Sequence, residues 1–300
     1  MTLRQASCSR ILILWLFFLS FSMPLHAEVT ASFVSKTGYD KGILWKITSP
    51  KKRNSYLLGT IHVEDPRVIN LPQKVLRTIH QSSSMSLEVI PDPQLQQKTL
   101  LAMLYQDGRN LRQVVGEKLY KRSVEALRDH GIPEQFASQM KPWAVMTYLS
   151  LPRVETGEFL DKRLYTIAKQ RGMKTYALET FEEQISVFDK LSRQEEINML
   201  KDTLDELASI PAQIEQLTQA WLQRDLNLIE SLAKQQINES TSQAFMASIL
   251  DKRNQLMVER MQPRLKEGRA FIAVGALHLP GEKGLLHLLS LQGYKIEAVY

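Results

Sequence analysis

Tyr56-Leu-Leu-Gly-Thr-Ile-His62 and Phe271-Ile-Ala-Val-Gly-Ala-Leu-His278 decide how this chain is read. Each is an apolar run that stops on Gly-x-x-His. Short apolar runs bounded by turn signals read as buried strands. Open α/β sheets place their ligands beyond the carboxyl ends of the strands. A glycine there permits close backbone approach, and a histidine at the strand end can bind a metal or move a proton. Two such strands side by side would bring His62 and His278 to one cleft. Taken singly, each is also read as a satisfied polar residue that closes a strand.

The stretches around these two runs set the architecture. Gly42 to Ile47 and Ser55 to His62 flank the polar turn Ser49-Pro-Lys-Lys-Arg-Asn54, which predicts a hairpin. Met85 to Ile90, Thr175 to Glu179, Ala270 to Leu277 and Tyr294 to Tyr300 read as further strands. Between them the spacing is helical: Gly116 to His130, Phe159 to Gly172, and most of Pro211 to Leu265. Ser192 with Glu195 three residues on is a capping box. Each Gly-x-x-His is followed by a Pro-containing loop, a helix and a strand, a unit that occurs twice. The prediction is an α/β fold: a central mixed sheet of N- and C-terminal strands, flanking helices and a large helical insertion.

With 300 residues, 44% hydrophobic and 23% charged, the chain has the composition of a globular protein with a sizeable core. Arg4 and Arg10, the apolar run from Ile11, and Leu25-His-Ala27 have the layout of a signal peptide. The run is shorter than the roughly 20 residues a bilayer span requires. Residues 1–27 are therefore read as a signal, and 28–300 as one domain, exported to the periplasm with no stable membrane anchor. His26 and the one cysteine, Cys8, leave with the signal, which excludes disulfides, thiol catalysis and zinc-thiolate sites. The net charge of +6 is spread along the chain, and nucleic acid is not an expected partner.

The remaining candidates are polar groups in apolar settings. Glu88 interrupts Leu87-Glu-Val-Ile90, so it is either buried and paired or on the open face of an edge strand. Glu179 ends a strand and equally precedes a helix. Asp251-Lys-Arg-Asn254 lies in a helical pattern, as do His80, His130 and His287. Histidines with carboxylates suit manganese, iron, cobalt or zinc. There is no His-Glu-x-x-His, Gly-rich phosphate loop or Gly-x-Ser-x-Gly elbow.

In order along the chain, Leu44-Trp-Lys-Ile47, Tyr56 to His62 with Asp65-Pro-Arg67, Leu71-Pro72, Ser86-Leu-Glu-Val89, Ala177-Leu-Glu-Thr180 with Glu183-Gln184, Asp251 to Asn254, and Val274 to Gly284 resemble the TraB/GumN family over nearly the whole chain. That family is similar to the metal-dependent TIKI proteases, and more remotely to erythromycin-esterase-like and haem-binding ChaN-like proteins. The resemblance implies an α/β core in which His62, His278 and Glu88 meet, as metal ligands or with one of them as base. Gly59 and Gly275 belong to its motifs. Glu179, Arg253 and Asn254 take positions that support the centre or face the substrate. The implied activity is that of a metal-dependent hydrolase acting on a peptide or small molecule. The alternative is a periplasmic binding protein for haem, metal or peptide, with Tyr56 or Tyr176 as an axial haem ligand; a metal-free, esterase-like use of the same residues is the third. Mass spectrometry of the exported protein should find Glu28 as its first residue; an intact N-terminus would mean a membrane anchor instead.

Overall fold

The computed structural model describes residues 38–152, 156–235 and 247–300. The expected signal peptide, with Cys8 and His26, lies outside them. The strands are β1 (Leu44–Thr48), β2 (Asn54–Thr60), β3 (Ser84–Leu87), β4 (Lys174–Ala177), β5 (Ala270–Gly275) and β6 (Lys295–Ala298). They form one mixed sheet in the order β4–β3–β5–β2–β1–β6. β1 and β2 are the predicted hairpin, with Leu44 opposite Leu58 and Thr48 opposite Asn54. Lys52, at φ 59°, turns the chain between them. β6 lies antiparallel to β1 on its other side. β2, β5, β3 and β4 run parallel to one another.

Parallel strands require crossovers, and here the crossovers set the site. β2 leads across β5 to β3, while β5 leads across β2 and β1 to β6. The two Gly-x-x-His strands are thus direct neighbours whose connections leave in opposite directions. All four parallel strands end at one edge of the sheet, where Thr60, Leu87, Ala177 and Gly275 are the last paired residues. The strands are shorter than the apolar runs suggested. Glu88 and Glu179 lie just past β3 and β4 rather than within them. Ala276–His278 forms a 3₁₀ turn rather than extending β5.

Two hydrophobic cores support this edge. One holds the sheet, with Leu57, Leu87, Phe271 and Ile272 fully buried. The other is helical and packs Met103, Leu127, Trp143, Met146, Phe188 and Leu200 together. It is the predicted insertion, drawn from both sides of β4. The Ser192 capping box is present in both directions, with Ser192 N–H donating to Glu195 and Glu195 N–H to Ser192. Gly116, at φ +80°, leads into the Glu117–Asp129 helix.

Gly59 has a packing reason. A Cβ there would meet Leu279 Cδ1 at 2.7 Å and the Ala276 Cα at 3.1 Å. The first motif's glycine is therefore the seat for the second motif's turn. Its carbonyl also accepts from Trp221 Nε1 at 2.9 Å. Because the second contact is with backbone, Gly59→Ala should lower unfolding stability by about 1–3 kcal/mol, the range for overpacking a filled core. Urea denaturation measures this; an unchanged midpoint would show that the 276–279 turn is free to move away.

Candidate active site

Glu88 emerges from the end of β3 into a closed polar cluster. Its Oε1 accepts the Gly275 N–H at 2.6 Å, which ties β3 to the second Gly-x-x-His motif. Its Oε2 accepts from Arg253 Nη2 at 3.2 Å and from Gln184 Nε2 at 3.3 Å. Glu179, at the end of β4, pairs with the same guanidinium. Arg253 Nε donates to its Oε1 at 2.7 Å and Nη2 to its Oε2 at 2.5 Å, a two-pronged pairing. Gln184 also bridges to Glu179, at 3.2 Å. All four side chains are buried.

His278 is fixed by the next residue of the same helix. Asn254 Nδ2 donates to the Lys283 carbonyl at 2.8 Å, which leaves Asn254 Oδ1 as an acceptor. Its partner, 2.5 Å away, is His278 Nδ1. That ring nitrogen therefore carries the proton, and Nε2 presents its lone pair. Nε2 faces Glu88 Oε1 at 4.0 Å, wider than a hydrogen bond. Arg253 and Asn254 open the Lys252–Glu267 helix, directly after a π-helical turn over Ala247–Asp251. Arg253 Nη1 donates to the Ile249 carbonyl of that turn at 3.2 Å. π-Helical turns occur frequently at functional sites.

The electrostatics follow from burial. Desolvation pushes the Glu88 carboxyl up to about 8; Arg253 pulls against this, and the charges of Glu179 and Asp161 add to it. His278 is held neutral, first by burial and then by the Arg253 charge. One guanidinium charge is thus shared between Glu179 and Glu88, and burial raises the proton affinity of Glu88.

His62 stands at the same edge of the sheet, beyond β2, and no hydrogen bond joins it to this cluster. Its ring lies flat on Phe159, with centroids 3.8 Å apart at 12°. It is buried, neither ring nitrogen has a hydrogen-bond partner, and desolvation lowers its pKa to about 3. The structure therefore brings together Glu88, Glu179, Arg253, Asn254, His278 and the Gly275 backbone, while His62 follows the end of the neighbouring strand β2 against Phe159. Arg253 and Asn254 have protein partners, so they hold the site's own groups. Tyr56 and Tyr176 are engaged elsewhere, with Gln81 and Arg264.

Among the described residues, no three His, Asp or Glu side chains are gathered closely enough to hold a metal ion. Two histidines nonetheless have the donor chemistry of metal ligands. His62 is a neutral imidazole with unpartnered buried nitrogens, and His278 has its Nδ1 proton held by a side-chain carbonyl, the usual support of a metal-binding histidine.

Residue-by-residue reading missed Phe159 and Asp161. Asp161 is a buried carboxylate that accepts from Thr60 Oγ1 at 3.0 Å, and burial raises its pKa to about 6. The available signal was an acid beside the apolar stripe Leu160, Leu164 and Ala168.

A mixed α/β sheet with a buried His–Glu–Arg centre at the carboxyl ends of its parallel strands is the class these observations define. The chain belongs to the TraB/PrgY/gumN family, whose pattern matches residues 43–298. It is similar to metalloprotease TIKI2 of Danio rerio, at 26% identity over 85% of this chain and 60% of that protein. Metalloprotease TIKI1 of the same species is 26% identical over 85% of this chain and 62% of its own length. The chain thus spans about 60% of the length of these relatives. YbaP of Shigella flexneri, described as uncharacterized, is 26% identical over 81% of this chain and 90% of its own length. No solved structure gives a significant match.

The raised Glu88 pKa makes stability depend on pH. The folded protein keeps a proton there that the unfolded chain releases near its ordinary value of 4.5. This stabilisation is complete below the unfolded value and is lost as pH rises through about 8. Glu88→Gln cannot titrate, so it should lose less stability than wild type between about pH 5 and about pH 9 in urea denaturation. Equal losses would mean that Glu88 is ionised throughout.

Proposed function

We propose that this protein is a metal-dependent hydrolase, acting on peptide bonds and exported to the periplasm by its N-terminal segment. The observation that carries the reading is the buried pair of Glu88 and His278, with the histidine tautomer set by Asn254 and the carboxyl set by Arg253. The distant likeness to metalloproteases supports it.

His62 and His278 would hold a divalent ion such as manganese, cobalt, zinc or iron, with Glu88 beside them. Such an ion supplies an activated water and polarises the scissile carbonyl. Asn254 keeps the lone pair of His278 on Nε2. Arg253 and Gln184 hold the Glu88 carboxyl against the end of β5. Glu88, whose proton affinity burial raises, would be the group that accepts and returns a proton, the role general acid–base catalysis requires.

The experiment is a peptide library incubated with the full chain and manganese, cobalt or zinc, and again with a chelator. Cleavage should require metal. His62→Ala and His278→Ala should each lose metal and activity together. Glu88→Gln should retain metal and lose roughly 10²-fold in rate, the scale of a missing general base. If the protein binds haem or a peptide tightly and cleaves nothing under any metal, the binding-protein reading replaces this one.

A further inference from the structure

The loop that carries His62 is gripped by a second segment. Thr60 Oγ1 donates to Asp161 Oδ1 at 3.0 Å, with both side chains buried. The His62 ring stacks on Phe159. The Glu64 carboxylate accepts the N–H groups of Thr156 at 2.7 Å and Gly157 at 2.6 Å. Each step of two forward along Thr60, His62 and Glu64 matches a step of two back along Asp161, Phe159 and Gly157. The two segments therefore run antiparallel to each other, although His62, Glu64 and all three partners lie outside the strands. The alternate residues, Ile61 and Val63, turn the other way into the sheet core, as an extended segment requires.

The two ends of this clasp fix its middle. Thr60 is the last paired residue of β2, so its partner Asp161 anchors the start of the Leu160–Gln170 helix to the sheet. Gly157, at φ +70°, turns the chain at the other end, and Lys162 Nζ holds its carbonyl at 2.7 Å. Phe159 has little freedom between these points, and it is the N-cap of the helix. His278 is oriented by a hydrogen bond that occupies one ring nitrogen. A stacked ring orients an imidazole through its face and leaves both nitrogens available.

We propose that Phe159, held by the Thr60–Asp161 and Glu64–Gly157 contacts, is a positioning residue that presents His62 to the reaction. This rests on the hydrolase reading only in giving His62 a role there. Phe159→Leu keeps apolar bulk and removes the aromatic face. Its first readout is the rate of His62 carbethoxylation by diethyl pyrocarbonate, followed by peptide mass mapping with His278 as the internal reference. Loss of a stacked ring pair should make His62 react up to about tenfold faster, with His278 unchanged. The second readout is hydrolysis, in which kcat should fall about tenfold at unaltered KM because the group is present but misaimed. Thr60→Val, which removes the donor at one end of the clasp, should move both readouts the same way, and Thr60→Ser should restore them.

A Phe159→Leu protein with wild-type His62 reactivity and kcat overturns the proposal. So does equal acceleration at His62 and His278 with a collapsed melting temperature, since Phe159 would then be only core packing. If His62→Ala abolishes hydrolysis while Phe159→Leu behaves as wild type, the clasp fails and the hydrolase reading stands. If His62→Ala keeps full activity, both fall.

Discussion

Arg253 lies almost out of reach of water between two carboxylates, and three of the segments at the site are joined through it. Glu179 brings the end of β4, Glu88 the end of β3, and Arg253 itself the Lys252–Glu267 helix. Burying a guanidinium is unfavourable unless its donors are taken up. Here Nε, Nη1 and Nη2 all find acceptors, that of Nη1 being the Ile249 carbonyl in the π-helical turn. A lysine has one charged point and no fork, so it could not span both carboxylates in this way. One positive charge also explains why the two glutamates are unequal. It meets Glu179 through two prongs and Glu88 through one, and burial raises the proton affinity of Glu88.

The two Gly-x-x-His motifs are alike in placement and unlike in use. Both end neighbouring parallel strands, so both histidines leave the sheet at one edge. The glycine of the first accepts the turn of the second, and the backbone N–H of the second motif's glycine holds Glu88. His278 has a fixed tautomer. His62 has a fixed plane and unassigned nitrogens. The repeated spacing therefore records a shared position on the sheet, and the neighbours of each ring decide what it can do.

This division shows what was legible along the chain. Alternating and continuous apolar runs identified all six strands because they report burial locally. The capping box at Ser192 and the hairpin at residues 49–54 were readable for the same reason: their partners lie within a few positions. Strand ends were misplaced by two or three residues at Glu88, Glu179 and Ala276. An apolar pattern continues past the last ladder bond wherever the chain leaves the sheet but stays buried. Gly-x-x-His, the strand glutamate and Arg-Asn were visible as residue types set in unfavourable surroundings.

By itself the sequence determined the fold class and most of the polar residues that gather at the carboxyl ends of the parallel strands. Only the tertiary structure decided which of them touch. Glu88 meets Arg253 across 165 positions, and Thr60 meets Asp161 across 101. Contacts at such separations carry no local periodicity. They depend on the crossover direction of each parallel strand and on which side chains lose water together. The pairing of Asn254 with His278, the raised proton affinity of Glu88 and the flat stack of His62 on Phe159 are all consequences of that shared desolvation.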